Sequence, residues 1–425
     1  MRQSDDHMKI RVTRLARGGW LRVVGSGVAL VLAACWPLFS ASGASADRPI
    51  ASNPAAARAH AARAQLTRSP HSDPARAFVS YEAMRRYFYL PGSGLYRETL
   101  GASSDAYLWP FSQALAATVS VSLIRGHPPR ISQNLHALLY GLGKYLTETV
   151  PAASASSDGL QNLPHFGARI ASAQSGPVSY YDDNDWVGIE LARVYELTGS
   201  QSALSLAEQI MAFEMAGWDS DTDARCPGGI PHSTSPNSTK RSTISTAPAA
   251  ELALALYETT TQPSYLTFAE QAYQWVRQCT LMPSGMYADN IAPDGELDPQ
   301  LWSYTQGVMI GAGALLYHAT GVQTYLQQSE QTAQTALSYY TLERLAAENP
   351  FFVSVFLRNV LYLGSELHDN LGQALAQQYV DWAWNSLRKS NGLFLSATGI
   401  PTLLLGQSAM TQLYALLSIP PSRYF

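Results

Sequence analysis

Two neighbouring aspartates, Asp182 and Asp183, are the side chains of this sequence whose types and spacing best suit catalysis. They lie within Tyr180–Trp186, between aromatic residues, and precede a helical pattern that ends at Gly199. Adjacent carboxylates repel each other, so the pKa of at least one is expected to be perturbed. Paired acids flanked by aromatic rings suit a site that cleaves sugars. The alternative is that Asp183 or Asp185 only caps the helix, because aspartate accepts hydrogen bonds from its first N–H groups.

Composition narrows the possible functions of the chain. It has 425 residues, of which 46% are hydrophobic and 14% charged, whereas soluble domains average about 25% charged residues. A large core is therefore expected. The net charge of −4 gives no electrostatic reason to expect a nucleic-acid partner.

The N-terminal segment is typical of a secretory signal. A basic stretch ending at Arg22, an apolar run over Val23–Phe39 and a small-residue cleavage site at Ala44-Ser45-Ala46 predict a signal peptide over residues 1–46. Secretion follows from this prediction, with no stable membrane span after processing. One alternative is a lipid anchor at Cys35, which ends a sequence resembling a bacterial lipoprotein motif. Another is an uncleaved anchor, although the apolar run is short for a membrane span.

Cys226 and Cys279 remain after such processing. An even pair in an oxidising compartment predicts one disulfide, and two separate buried thiols are the alternative. The segment Asp219–Asp223 resembles a calcium loop, but Ala224 and Ile230 occupy the positions that need Gly and Glu in an EF-hand. Histidine ligand spacing is also missing from the sequence, so neither a metal nor a cofactor is expected.

From residue 75 onward, the apolar residues are spaced as in helices almost throughout. Residues 47–74 are predicted to be a linker, and residues 75–425 a single all-α domain, since no convincing run of alternating strand pattern is found. The predicted helices are Arg76–Tyr89, Tyr107–Ile124, Ile131–Leu146, Asp183–Thr198, Gln201–Ala216, Ala247–Thr259, Tyr265–Cys279, Tyr304–Thr320 and Tyr325–Tyr340.

The helices also repeat. Tyr195, Tyr257 and Tyr317 each end one helix at intervals of 62 and 60 residues, and a second helix with a Glu-Gln pair follows each. A period near 60 indicates a helical hairpin. About six hairpins fit the mature chain and can close into an (α/α)6 barrel, which we expect to be a monomer. An open solenoid is the alternative.

Three polar and aromatic clusters precede inner helices of these hairpins. They contain the Asp182-Asp183 pair, the segment Lys240–Ala247 and the segment Leu301–Gly307. In a closed ring the starts of the inner helices face one another across one cleft. The sequence therefore predicts a single site at that end of the barrel.

The chain resembles glycoside hydrolase family 76, the endo-α-1,6-mannanases, over roughly residues 75–417. The motifs that carry the resemblance are Tyr181-Asp182-Asp183-Asn184 with Trp186, Cys226–Ile230, Trp302–Gly307 and Tyr107–Phe111. The resemblance implies an (α/α)6 barrel, an α-mannan polysaccharide as substrate and a retaining mechanism. It makes Asp182 the nucleophile and Asp183 the general acid/base. The sugar-contacting residues that we predict are Tyr181, Asn184, Trp109, Trp186, Trp302, Tyr304 and Gln306.

The sequence departs from the family pattern at Val187, His232 and Thr305, where the family usually or often has an aromatic residue, Trp and Asn, respectively. These departures put substrate choice in doubt rather than catalysis. Two other functions stay open: a transglycosylase that remodels cell walls by the same double displacement, and a non-catalytic glycan-binding wall protein. The second would not need both acids.

Overall fold

The computed structural model describes residues 73–147, 163–171, 178–395 and 403–425. The predicted signal peptide and the alternative lipid site at Cys35 lie outside these residues, as does the predicted linker apart from its last two positions, which begin the first helix. Within the described ranges, no helix combines the length and apolar character that a membrane crossing requires.

Thirteen α-helices make up most of the described chain. They are α1 Asp73–Phe88, α2 Leu108–Ser122, α3 Ile131–Leu142, α4 Tyr181–Thr198, α5 Gln201–Ala216, α6 Thr243–Thr260, α7 Pro263–Cys279, α8 Ser303–Thr320, α9 Gln323–Tyr339, α10 Leu342–Ala347, α11 Pro350–Glu366, α12 Gln373–Ser386 and α13 Leu404–Leu416. Short 3-10 turns occupy Gly143–Tyr145 and Pro421–Arg423.

Six of these helices form a closed inner ring. Each packs against the next in the order α2, α4, α6, α8, α11 and α13, and α13 returns to α2. Outer helices pack on this ring: α3 on α2, α5 on α4, α7 on α6, α9 on α8 and α12 on α13. The N-terminal helix α1 completes the outer layer by packing on α13. The predicted (α/α)6 barrel is confirmed, and the open solenoid is wrong because the last inner helix, α13, packs against the first, α2.

The repeated tyrosines lie where inner helices end. The backbone carbonyls of Tyr195, Tyr257 and Tyr317 each accept a 2.7 Å hydrogen bond from the residue that follows the helix. That residue is left-handed in all three helices, and in α6 it is Thr261, at φ 58°. Helices commonly end at a residue in the left-handed conformation whose backbone N–H donates to a carbonyl of the last turn. The repeated tyrosines therefore mark three equivalent turns, each of which connects an inner helix to the outer helix that follows it.

The all-α class is confirmed, and the strands that accompany the helices are short. β1 Tyr89–Leu90 pairs with β2 Leu95–Tyr96, and β3 Leu146–Thr147 pairs with β4 His165–Phe166. A three-stranded sheet contains β5 Arg241–Ser242, β6 Asn290–Ile291 and β7 Leu297–Asp298. All pairs are antiparallel, and each strand has two residues, too few to show alternation in sequence. β5 runs directly into α6.

Cys226 and Cys279 form a disulfide, as predicted, with their Cα atoms 5.9 Å apart. It ties the loop after α5 to the end of α7. Beside it, Gly229 has φ 82°, and a Cβ there would overlap the ring of Trp275. The tight loop between α5 and α6 therefore depends on glycine as well as on the disulfide.

Candidate active site

The aspartate pair lies in the first turn of α4, at the rim of the barrel, by which we mean the end where the inner helices begin. α4 starts at Tyr181, two residues before the predicted start, and follows an extended Tyr180 without a side-chain cap. Neither Asp183 nor Asp185 is the N-cap residue. The capping alternative is therefore wrong.

Both carboxyl groups leave a backbone that is already helical, whereas the sequence reading places at least part of the pair before the helix. Consecutive helical residues are about 100° apart around the axis, so the two side chains diverge. The Asp182 side chain is 14% exposed and Asp183 is 7% exposed. Asp185, by contrast, is completely buried. Of these three aspartates, only the adjacent pair keeps some exposed surface.

The two acids differ in their electrostatic surroundings. Burial raises the pKa of Asp183 well above its usual value, and the neighbouring charge of Asp182 raises it further. Burial also raises the pKa of Asp182, but His232 and the backbone N–H groups of Asp182 and Asp183 oppose that rise. Asp183 therefore tends to hold a proton, while Asp182 is better suited to carry the charge.

Tyr181 and Asn184, two of the predicted sugar contacts, are buried and position the start of α4. Tyr181 is 1% exposed and stacks on Phe213 with ring centroids 4.8 Å apart. The amide of Asn184 bonds both backbone groups of Phe166, with distances of 2.7 and 2.9 Å. Direct contact with sugar is not open to either side chain in this structure.

Trp186, Tyr304 and Gln306 are also buried. The indole N–H of Trp186 donates to the Tyr304 hydroxyl at 3.1 Å, which in turn donates to the backbone carbonyl of Ile244 at 3.1 Å. The Gln306 amide bonds the backbone N–H and carbonyl of Tyr287. Trp186 and Tyr304 therefore connect α4, α6 and α8 below the rim, and Gln306 connects α8 to the loop after α7, so the structure gives all three a positioning role.

Of the predicted sugar-contacting residues, Trp109 and Trp302 are the two whose side chains stay partly exposed. Phe352, which the sequence analysis missed, lies between them. Its ring centroid is 6.4 Å from that of Trp109 and 5.3 Å from that of Trp302. The three rings form an aromatic floor at the rim. The signal in the sequence was the Phe pair that opens α11, at the same place in its hairpin as the other clusters.

A second group of acids lies beneath the pair. Asp185 and Glu214 are both fully buried, and none of their carboxylate oxygens has a hydrogen-bond partner among the described residues. Burial raises the pKa of each well above its usual value. The charge of Asp182 raises both further, that of Glu251 adds to the rise at Asp185, and that of Asp185 adds to the rise at Glu214. Burial therefore favours the protonated form of both acids in the folded protein.

These two acids predict a stability that falls as pH rises. An acid whose pKa is higher in the folded than in the unfolded chain takes up a proton on folding. Its stabilising contribution is complete below the unfolded value, near 4, and is lost as pH rises through the folded value. Thermal denaturation between pH 4 and 9 should show a falling Tm. Asp185→Asn combined with Glu214→Gln should flatten that slope, whereas the exposed Glu82→Gln should leave it unchanged.

His232 and Asp289 complete the surroundings of Asp182. The Nε2 atom of His232 lies 3.7 Å from Oδ1 of Asp182. Asp289 is 8% exposed, and its charge raises the pKa of Asp182. The sequence analysis noted His232 only as a departure from a family pattern and missed Asp289, because the loop that brings Asp289 here follows a different hairpin.

The arrangement can donate a proton, supply a carboxylate and hold apolar sugar faces against aromatic rings, all at one rim. Among the described residues, no group of three or more His, Cys, Asp or Glu side chains is placed to hold a metal ion. The chemistry that these residues themselves can perform is acid–base and nucleophilic catalysis by carboxyl groups.

The model of glycosyl hydrolase family 76 matches residues 73–352 of this chain. Mannan endo-1,6-alpha-mannosidase DCW1 of Candida glabrata is 23% identical over 259 residues, which make up 58% of this chain and 52% of that protein. The chain therefore spans about half the length of this curated relative.

Solved structures share the fold. A family 76 mannosidase, Bt3792 from Bacteroides thetaiotaomicron VPI-5482, has a TM-score of 0.71 and 21% identity, with 81% of this chain and 98% of that one covered. An alpha-1,6-mannanase of Salegentibacter sp. has a TM-score of 0.66 and 21% identity, with 82% and 99% covered. That structure is an inactive variant with two consecutive aspartates replaced by alanine, in complex with alpha-1,6-mannotetrose.

Proposed function

The chain belongs to glycosyl hydrolase family 76, and from this membership we propose that it hydrolyses α-1,6-linked mannan with retention of anomeric configuration. Asp182 is the proposed nucleophile and Asp183 the proposed general acid/base. The observation that carries the proposal is the unequal setting of two adjacent acids at the rim, since the pKa of Asp183 is raised by burial and by Asp182, while His232 and backbone N–H groups favour the charged form of Asp182.

The reaction has two displacements. An Asp182 oxygen bonds to the anomeric carbon as the glycosidic C–O bond breaks, and the proton of Asp183 goes to the departing oxygen. Once Asp182 is esterified its charge is gone, and the pKa of Asp183 falls. Asp183 then accepts a proton from water, whose oxygen bonds to the anomeric carbon while the ester bond breaks. Asp182 regains its charge and Asp183 its proton.

The substrate class is drawn from the relatives. The Candida relative is named a mannan endo-1,6-alpha-mannosidase, and the Salegentibacter enzyme binds alpha-1,6-mannotetrose as a variant that lacks two consecutive aspartates. Asp182 and Asp183 are likewise consecutive, and both keep some exposed surface at this rim. Trp109, Phe352 and Trp302 provide rings on which the apolar faces of mannose units can lie.

The test is to incubate the purified protein with linear α-1,6-mannan and to follow the anomeric proton of the first product by NMR. We expect an α-configured product before mutarotation, because two inversions at one carbon restore the configuration. A β-configured first product would contradict the nucleophilic role of Asp182. An added mannose acceptor distinguishes hydrolysis from transfer, since a transglycosylase would lengthen it.

We also propose that the protein is exported. The basic and apolar N-terminal segments support this, and so does the disulfide between Cys226 and Cys279, since such bonds persist mainly in oxidising compartments. N-terminal sequencing of protein recovered from culture medium checks the proposed cleavage after Ala46. Recovery from the membrane with a lipid on Cys35 would support the alternative instead.

A further inference from the structure

His232 is held against the start of α4 from two directions. Its backbone carbonyl accepts a hydrogen bond from the N–H of Tyr181 at 3.2 Å, and its ring lies 5.0 Å from the Tyr180 ring, measured between centroids. The Nε2 atom then faces Oδ1 of Asp182 at 3.7 Å. The His232 side chain is 37% exposed, so it can exchange protons with solvent.

The oxygen that faces His232 needs a partner. Oδ1 of Asp182 is buried and has no hydrogen bond from any described residue. The distance of 3.7 Å is longer than a hydrogen bond, but a positive charge on the ring would attract this carboxylate. Among the described residues, His232 is the basic side chain that lies within 4 Å of Asp182.

We propose that His232 is a positioning residue for Asp182, and that its protonated form supports the first displacement by holding the nucleophile charged and oriented. This inference rests on the proposed function and adds the group that sets the alkaline limit of activity. Histidine is the side chain whose charge ordinarily changes between pH 5 and 8. Activity should therefore fall as pH rises through the titration of His232.

Other charged or titratable groups also face this ring. The start of α4 and the residue before it contribute Asp182 and Tyr180, and the loop after α7 contributes Asp289, whose pKa is raised by burial against the opposing effects of His232 and Lys240. Asp182 and Asp289 are therefore the carboxylates whose charge a positive ring would meet here, and the exposed Lys240 belongs to the same loop as His232.

The experiment compares His232→Gln and His232→Lys with the unmutated protein. The substrate is an α-1,6-mannobioside with dinitrophenolate as its leaving group, which departs without a proton, so the titration of Asp183 does not limit the first step. The quantity measured is kcat/KM between pH 4.5 and 8.5, because it reports formation of the glycosyl-enzyme. His318→Gln is the matched control, since His318 pairs with Glu366 at 3.2 Å near the opposite end of α8.

We expect His232→Gln to lower kcat/KM about tenfold at pH 5.5, a size typical of losing one opposite charge beside a carboxylate, and to abolish the alkaline fall. His232→Lys should restore part of the rate and extend activity to higher pH. Equal losses in both variants with an unchanged pH profile would overturn the inference and leave the hydrolase proposal standing. An unmutated protein that cleaves neither this substrate nor linear mannan would overturn both.

Discussion

Replacing Asp183 by asparagine should lower kcat on linear α-1,6-mannan by at least about 10³-fold, because the departing sugar oxygen then receives no proton. The loss should shrink strongly on a substrate with dinitrophenolate as leaving group, which needs no acid. Added azide should restore turnover of that substrate and give an α-mannosyl azide, since azide can attack the glycosyl-enzyme without a general base.

Asp182→Asn should behave differently. It removes the nucleophile, so the loss should be at least as large on the mannan and should persist on the activated substrate. The contrast between the two variants assigns the two roles. Asp294→Asn, in the exposed turn between β6 and β7, is the matched control and should keep full activity. All three variants should retain Tm within a few degrees.

Two results would reverse this assignment. If Asp182→Asn recovered on the activated substrate while Asp183→Asn did not, the two aspartates would exchange roles. If either variant kept near-normal turnover of the mannan, a carboxylate elsewhere at the rim would have to act in its place, and Asp289 would be the first to replace.

The architecture was predictable because the repeat fixes it. Tyr195, Tyr257 and Tyr317 mark equivalent helix ends, and the interval between them is long enough for one hairpin each. Helix starts were placed late where polar residues fill the first turn, as in α6, which begins at Thr243 rather than Ala247. Those residues are buried at the rim but add nothing to an apolar periodicity. Two-residue strands leave no pattern at all.

The acids of the site were predictable, but the depth of the aromatic residues was not. Inner helices such as α8 are buried nearly all round, so they lack the apolar stripe that would reveal their rotation. Trp302 and Tyr304 are two residues apart in sequence, yet Trp302 keeps exposed surface while Tyr304 is 2% exposed. Which ring meets the cleft depends on packing between hairpins that are distant in sequence.

A buried ion pair below the rim is the other place where a single change should have a large effect. Arg358 on α11 donates to Oε2 of Glu251 on α6 at 2.8 Å, and the Glu251 side chain is fully buried. The guanidinium also lies over the rings of Trp186 and Phe425, at 5.2 and 4.4 Å from their centroids. Arg358 therefore connects its own helix, α11, with α6 through Glu251, with α4 through Trp186, and with Phe425.

Arg358→Met should lower the free energy of unfolding by about 3–5 kcal/mol at pH 8, because it leaves Glu251 buried without its partner. Even with Arg358 present, burial raises the pKa of Glu251 to about 7, so its stabilising contribution is lost as pH rises through that value. The Arg358→Met variant should therefore be closest to the unmutated protein at pH 5, where Glu251 is neutral, and fall behind above pH 7.

Urea denaturation at pH 5 and pH 8 measures this difference, with the exposed Arg344→Met as control. Adding Glu251→Gln to Arg358→Met should recover much of the loss at pH 8, because a neutral amide replaces the unpaired charge. A loss that is equal at both pH values, and that Glu251→Gln does not relieve, would mean that Arg358 stabilises the barrel through its packing on Trp186 and Phe425. The ion pair would then contribute little, and the alkaline loss of stability would have to come from Asp185 and Glu214.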